Sequence, residues 1–83
     1  MEDSQTQLVH SFPKGQDEEI QMSIRKYKGR LYIDLRVWFM SKSAQSMRPT
    51  KKGVFIPFDQ LPQLRKGVDE LAQNADRFSE SGE

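Results

Sequence analysis

The chain has 83 residues, 35% of them hydrophobic and 30% charged, and no cysteine. That length allows one domain with a thin core, and the lack of thiols excludes disulfide scaffolds and thiolate metal sites. The formal net charge of +1 hides an asymmetry, because residues 24–66 hold eleven basic side chains and two acids, a charge of +9, while the rest of the chain carries −8.

Residues 1–7 are polar and read as a disordered tail, and the acidic start does not fit a signal peptide. The longest apolar run, Val37 to Met40, is far too short to cross a membrane. An intracellular, soluble chain is expected, in a bacterial cytoplasm and nucleoid or a eukaryotic nucleus. Leu8 to Phe12 fits a short strand. Pro13 to Glu19 reads as a loop by composition.

The clearest signal follows. Ile20, Met22 and Ile24 alternate with Gln21, Ser23 and Arg25. Leu31, Ile33, Leu35, Val37 and Phe39 alternate with Arg30, Tyr32, Asp34, Arg36 and Trp38. Period two over this length means two β-strands. Gly29 tolerates positive φ, so Lys28-Gly29 suits a two-residue hairpin turn. That turn pairs Tyr27 with Arg30, Ile24 with Ile33, Met22 with Leu35 and Ile20 with Val37. The opposite face pairs Arg25 with Tyr32, Ser23 with Asp34 and Gln21 with Arg36. A slip of one residue would destroy the match.

Residues 41–46 read as a polar loop, Ser46 to Arg48 as a short third strand, Pro49-Thr50 as a turn and Val54 to Ile56 as a fourth strand. Leu61, Leu64, Val68, Leu71 and Ala75 then form one apolar stripe at helical spacing. Pro62 is tolerable only in a first turn, so the helix begins near Phe58 or Asp59 and runs to about Asn74. The expected architecture is α+β: a curved four-stranded antiparallel sheet followed by a C-terminal helix. The domain spans residues 8–76, and 77–83 form a second disordered tail.

Catalysis finds no support. The lone His10 lies near a fraying end, there is no phosphate-binding glycine loop, and Asp17-Glu18-Glu19 reads as a solvated run. No cofactor or metal is expected. The polar hairpin face is different, because it interleaves Arg25, Arg30 and Arg36 with Tyr27, Tyr32 and Trp38. Cations track phosphates and rings stack on unpaired bases, which is what single-stranded nucleic acid requires. Ordinary packing is the competing explanation: Tyr32 can lie under the helix, or the face can be a dimer seam. Lys51-Lys52-Gly53 adds a basic element near Arg48, and the helical stripe suits either a sheet cover or a pairing with its own copy.

Ser23-Ile24-Arg25, Tyr27-Lys28-Gly29-Arg30, Leu31 to Arg36, Trp38-Phe39-Met40, Met47-Arg48-Pro49, Lys51-Lys52-Gly53-Val54 and the helix with Gln60-Leu61 and Gln63-Leu64 together resemble the transcriptional positive cofactor 4 family. The resemblance covers about Ser23 to Leu71. It implies a homodimer with helices packed at the two-fold axis and β-ridges that channel single-stranded DNA with little sequence preference. It also implies a role as a transcription cofactor or in protecting exposed single strands and melted duplex. By the same resemblance Tyr27 is the aromatic before Lys-Gly, Arg36 the binding arginine, Phe39 the stacking aromatic and Lys52 the lysine before Gly. Alternation instead favours Trp38 on the binding face, and a bulge near the strand end is one way to reconcile the two. The chain departs from the family at the acidic Asp17-Glu18-Glu19, at Thr50 where a turn glycine is usual, and at Pro57 where a helix cap is usual. Phe58-Asp59 is then expected to supply another cap.

The expectation is a non-enzymatic single-stranded-DNA-binding homodimer. Its binding residues are Arg25, Tyr27, Lys28, Arg30, Arg36, Trp38, Phe39, Arg48, Lys51 and Lys52, and Leu61, Leu64, Val68 and Leu71 form the dimer interface. The alternatives are RNA binding, or a protein-interaction module docking on a transcription complex.

Overall fold

Alternation along the chain produces a four-stranded antiparallel meander, described in a computed structural model for residues 5–80. In chain order the elements are β1 (Gln5–Gly15), β2 (Glu18–Tyr27), β3 (Arg30–Ser41), β4 (Ser46–Pro57), a 3-10 turn (Phe58–Gln60) and the helix α1 (Leu61–Glu80). Each strand pairs with its chain neighbour, in the order β1-β2-β3-β4. This is the α+β arrangement expected from the sequence. Among the described residues, no helix is long and apolar enough to cross a membrane.

The β2–β3 hairpin has the expected register throughout: Tyr27 opposite Arg30, Ile24 opposite Ile33, Met22 opposite Leu35, Ile20 opposite Val37. Its turn needs positive φ at both central positions, with Lys28 at 52° and Gly29 at 78°. That is the mirror-image turn whose twist matches flanking strands. The register therefore follows from turn chemistry and from matched apolar partners together.

Several boundaries differ from expectation. β1 begins at Gln5, within the segment read as a tail, and only Gln16 and Asp17 of the expected 13–19 loop lie outside strands. β1 contains the strand expected at Leu8 to Phe12, and because every residue of β1 is exposed, its ladder rather than side-chain burial holds the longer ends. Pro13 is tolerated because β1 is an edge strand and the register shifts between Pro13 and Gly15. Ser46–Arg48 and Val54–Ile56 are parts of one strand. Pro49-Thr50 is no turn but the start of a β-bulge, where residues 50–52 oppose Val37 alone. The helix continues past Asn74 to Glu80, and the Asn74 amide donates to the Glu70 carbonyl at 2.9 Å instead of ending the helix. Residues 77–80 are thus helical, while 1–4 and 81–83 of the expected tails lie outside the described residues. Neither Pro57 nor Phe58-Asp59 provides a side-chain cap; the Leu61 amide donates to the Phe58 carbonyl, and Asp59 supplies negative charge in the first turn.

The core is thin. Ile33 and Val37 are the only buried apolar residues among those described. They lie on the sheet face that carries Ile20, Met22, Ile24 and Leu35, and Val9, Met22, Ile24, Ile33, Phe58 and Leu61 line an apolar recess there. Beyond Leu64, the described α1 side chains are exposed, including Val68 and Leu71.

Candidate nucleic-acid interface

Cross-strand partners share a sheet face, so the pairings assign each candidate residue to one side. Arg25, Tyr27, Arg30, Tyr32, Asp34, Arg36 and Trp38 share one face by the β2–β3 register. In β4, Phe55 lies opposite Asp34, Gly53 opposite Arg36 and Pro49 opposite Trp38, which adds them to the same face. Arg25, Arg36, Trp38 and Lys51 line one cleft, and Arg25, Tyr27, Arg36 and Phe55 line the next.

Aromatic packing orders the middle of this face. Tyr32 and Phe55 stack at 4.3 Å between centroids with 15° between planes. The Arg25 guanidinium sits 5.5 Å from the Phe55 centroid. Tyr32 is therefore on the cationic face and not under the helix. Phe55 was not singled out from the sequence; alternation along a β4 taken as one strand is the signal that finds it. Tyr27 is exposed near the hairpin tip, with the Lys28 ammonium 5.3 Å from its ring centroid. A half-solvated ring beside a cation is the chemistry of a base-stacking platform.

Charge is organised around Asp34, which is buried. Arg36 Nε donates to Asp34 Oδ1 at 3.1 Å, and Arg36 Nη2 stands 3.1 Å from the same oxygen. Arg25 Nη1 lies 3.6 Å from Asp34 Oδ2. Arg25 Nε is buried with no hydrogen-bond partner among the described residues, so Arg25 is held less firmly than Arg36.

The bulge of β4 closes this arrangement. Arg36 Nη1 donates to the Thr50 carbonyl at 3.0 Å. The Thr50 hydroxyl donates to the Val37 carbonyl at 2.8 Å and accepts from the Lys52 amide at 3.0 Å. Thr50 thus occupies the usual glycine position with a structural purpose, because its side chain satisfies backbone groups that the bulge leaves unpaired. Gly53 follows from close approach: a Cβ there would lie 2.3 Å from the Leu35 carbonyl oxygen.

The remaining candidates fall elsewhere. β3 keeps its alternation to Phe39, since the bulge is in β4. Trp38 accordingly stays with Arg36, while Phe39 and its partner Arg48 share the opposite face. The bulge does not reconcile the two aromatics. Lys28 and Arg30 mark the hairpin tip, Lys52 is exposed in the bulge, and Glu19 sits across from Trp38 with its carboxylate accepting from Gln21 Nε2 at 2.6 Å. Leu61, Leu64, Val68 and Leu71 lie along α1, away from the cationic face, with Leu71 72% exposed.

Comparison with known proteins adds a separate line of support. The family described as Transcriptional Coactivator p15 (PC4) matches residues 14–67, which take in β2, β3, β4 and the start of α1. A Caenorhabditis elegans protein named "Putative RNA polymerase II transcriptional coactivator" is 26% identical over 49 residues. That alignment covers 59% of this chain and 40% of the relative's length. Among solved structures, one described as "Bacteriophage T5 Homolog of the Eukaryotic Transcription Coactivator PC4 Implicated in Recombination-Dependent DNA Replication" superposes with a TM-score of 0.58 at 20% identity. The match covers 95% of this chain and 94% of that one, and at such identity it establishes the fold.

Proposed function

The chain belongs to the Transcriptional Coactivator p15 (PC4) family, whose members are non-enzymatic DNA-binding coactivators, and from that premise we propose that it binds single-stranded DNA with little sequence preference. The observation that carries the reading is one sheet face on which Arg25, Arg36 and Lys51 alternate with Tyr27, Trp38 and Phe55 around adjoining clefts. Guanidinium and ammonium groups neutralise phosphates, and exposed rings take unpaired bases by stacking, at about 1–3 kcal/mol per base. Duplex DNA hides its base faces and gains only the charge term. Lys28, Arg30 and Lys52 extend the cationic track at its two ends. The process served is transcription or the protection of exposed single strands.

The functional unit is a homodimer formed through α1. Leu61, Val68 and Leu71 are exposed in the single chain while only two apolar residues of the described sheet are buried, and a second copy supplies the missing cover.

Fluorescence anisotropy with labelled oligo-dT, oligo-U and a duplex of equal length, across a salt series, tests the reading. Oligo-dT is expected to bind tighter than duplex and to retain affinity at moderate salt. Arg36→Ala with Lys52→Ala is expected to weaken oligo-dT binding about tenfold or more while the protein stays folded. Equal binding of single strand and duplex, lost together as salt rises, would reduce the face to a generic basic patch suited to an acidic protein partner. Tighter oligo-U binding would make RNA the ligand.

A further inference from the structure

Asp34 is the only buried charged residue among those described, and it lies on the face proposed to bind a polyanion. By charge count alone a carboxylate there opposes binding. Its placement serves a different end. We propose that Asp34 is a positioning residue that sets Arg36, and through it the cationic track, in place before the single strand arrives. This deepens the single-stranded-DNA reading of the face and rests on it.

Arginine has five N–H donors in a rigid fork. Asp34 takes the Nε hydrogen of Arg36, with Nε 3.1 Å from Oδ1 and 3.4 Å from Oδ2, and Nη2 stands in ion-pair contact 3.1 Å from Oδ1. The Thr50 carbonyl takes one Nη1 hydrogen at 3.0 Å. The second Nη1 hydrogen and the Nη2 hydrogens make no hydrogen bond among the described residues, and the side chain is 23% exposed, so they are available to a phosphate or a base edge. Arg25 is drawn toward the same carboxylate, Nη1 to Oδ2 at 3.6 Å, and toward the Phe55 ring. Without Asp34 the Arg36 side chain would sample many rotamers and association would have to immobilise it, whereas Arg25 keeps its contact with the Phe55 ring. Through Thr50, which also holds the Lys52 amide, the fixed Arg36 is tied to the bulge that carries Lys51 and Lys52. Two cation sites on different strands thereby keep a set separation.

The sign of one substitution separates positioning from charge count. Asp34→Asn keeps the shape and removes a negative charge. Simple electrostatics expects tighter oligo-dT binding; positioning expects binding weaker by roughly three- to tenfold, the cost of ordering the Arg36 side chain on association. The loss should vanish in an Arg36→Ala background, since Asp34 acts through Arg36, whereas a merely structural role would weaken binding in both backgrounds. Equal or tighter binding by folded Asp34→Asn, or the same loss with Arg36 absent, overturns the inference while leaving the DNA reading intact. Arg36→Ala that binds like wild type overturns the DNA reading and the inference with it. If Asp34→Asn does not fold, the wild-type Arg36 Nε–H resonance decides: positioning expects it resolved and slow to exchange before DNA is added, and order that arises only on titration with oligo-dT overturns the proposal.

Discussion

Trp38 and Phe39 are neighbours in sequence and lie on opposite sides of the sheet, and this single fact governs what each can do. Trp38 shares a cleft with Arg25 and Arg36, whereas Phe39 pairs with Arg48 on the face where Ile33 and Val37 are buried. Trp38→Ala is therefore expected to weaken oligo-dT binding by about 1–3 kcal/mol, the value of one stacked base. Phe39→Ala is expected to change binding much less and to show its effect in thermal unfolding; anisotropy and a melting curve on the two variants decide between them. Gly53 is constrained at the same scale by its contact with backbone. A Cβ would lie 2.9 Å from the Arg36 Cα as well as against the Leu35 carbonyl, and neither atom can turn aside as a flexible side chain would. Gly53→Ala should destabilise the fold by about 1–3 kcal/mol, as overpacking does, seen as a lower midpoint in urea with an unchanged slope.

Among the elements, β4 matters most because its bulge turns a continuous ladder into a clamp. The Thr50 hydroxyl bonds the Val37 carbonyl and the Lys52 amide, and its own carbonyl holds Arg36. Thr50→Val preserves volume and removes the hydroxyl. The expected result is a stability loss of about 1–2 kcal/mol from orphaned backbone groups, measured by chemical unfolding, together with weaker oligo-dT binding as Lys51 and Lys52 lose their fixed place. A stable variant with unchanged affinity would show that the bulge holds its shape without the side chain. β1 shows the opposite behaviour, since all its residues are exposed and it relies on pairing with β2 and on bulges near Val9 and Lys14. Such breaks, with Pro13 and Lys14, guard the edge against pairing with other chains.

For the whole molecule the single chain exposes more surface than a compact protein of its mass. The single chain exposes 6808 Å², where a compact protein of this mass exposes about 5,100 Å². Its radius of gyration is 15.8 Å, against about 12 Å for a compact chain of this length. The excess comes with apolar surface on α1 and the sheet, where Leu61, Val68, Leu71 and Val54 are all at least 40% exposed. A dimer is expected by light scattering in solution. Leu64→Asp is expected to yield a monomer with a lower melting temperature, because it places a charge in the middle of the stripe. A normally sized, folded dimer in that variant would rule out the helical interface.

Local chemistry sufficed for much of this protein. The Lys28-Gly29 turn and the residue-by-residue pairing of β2 with β3 were legible because each depends on neighbours in sequence, and proline in a first turn placed the helix start within three residues, since Phe58–Gln60 form a 3-10 turn before α1 begins at Leu61. So was the grouping of Arg25, Tyr27, Arg36 and Trp38 on one face, which follows from alternation alone. The long-range parts were not legible. The middle of β1, Leu8 to Phe12, was legible as a strand, but its ends at Gln5 and Gly15 were not, because β1 has no buried side to carry the period further. The bulge broke the pattern of β4 into two apparent strands with Pro49-Thr50 between them, which hid Phe55 from the site. The Thr50 clamp and the close approach at Gly53 arise only where β3 and β4 meet, through contacts between residues 13 to 18 positions apart that sequence spacing does not encode, and Asp34 is buried beside Arg25 and Arg36 in that assembled sheet.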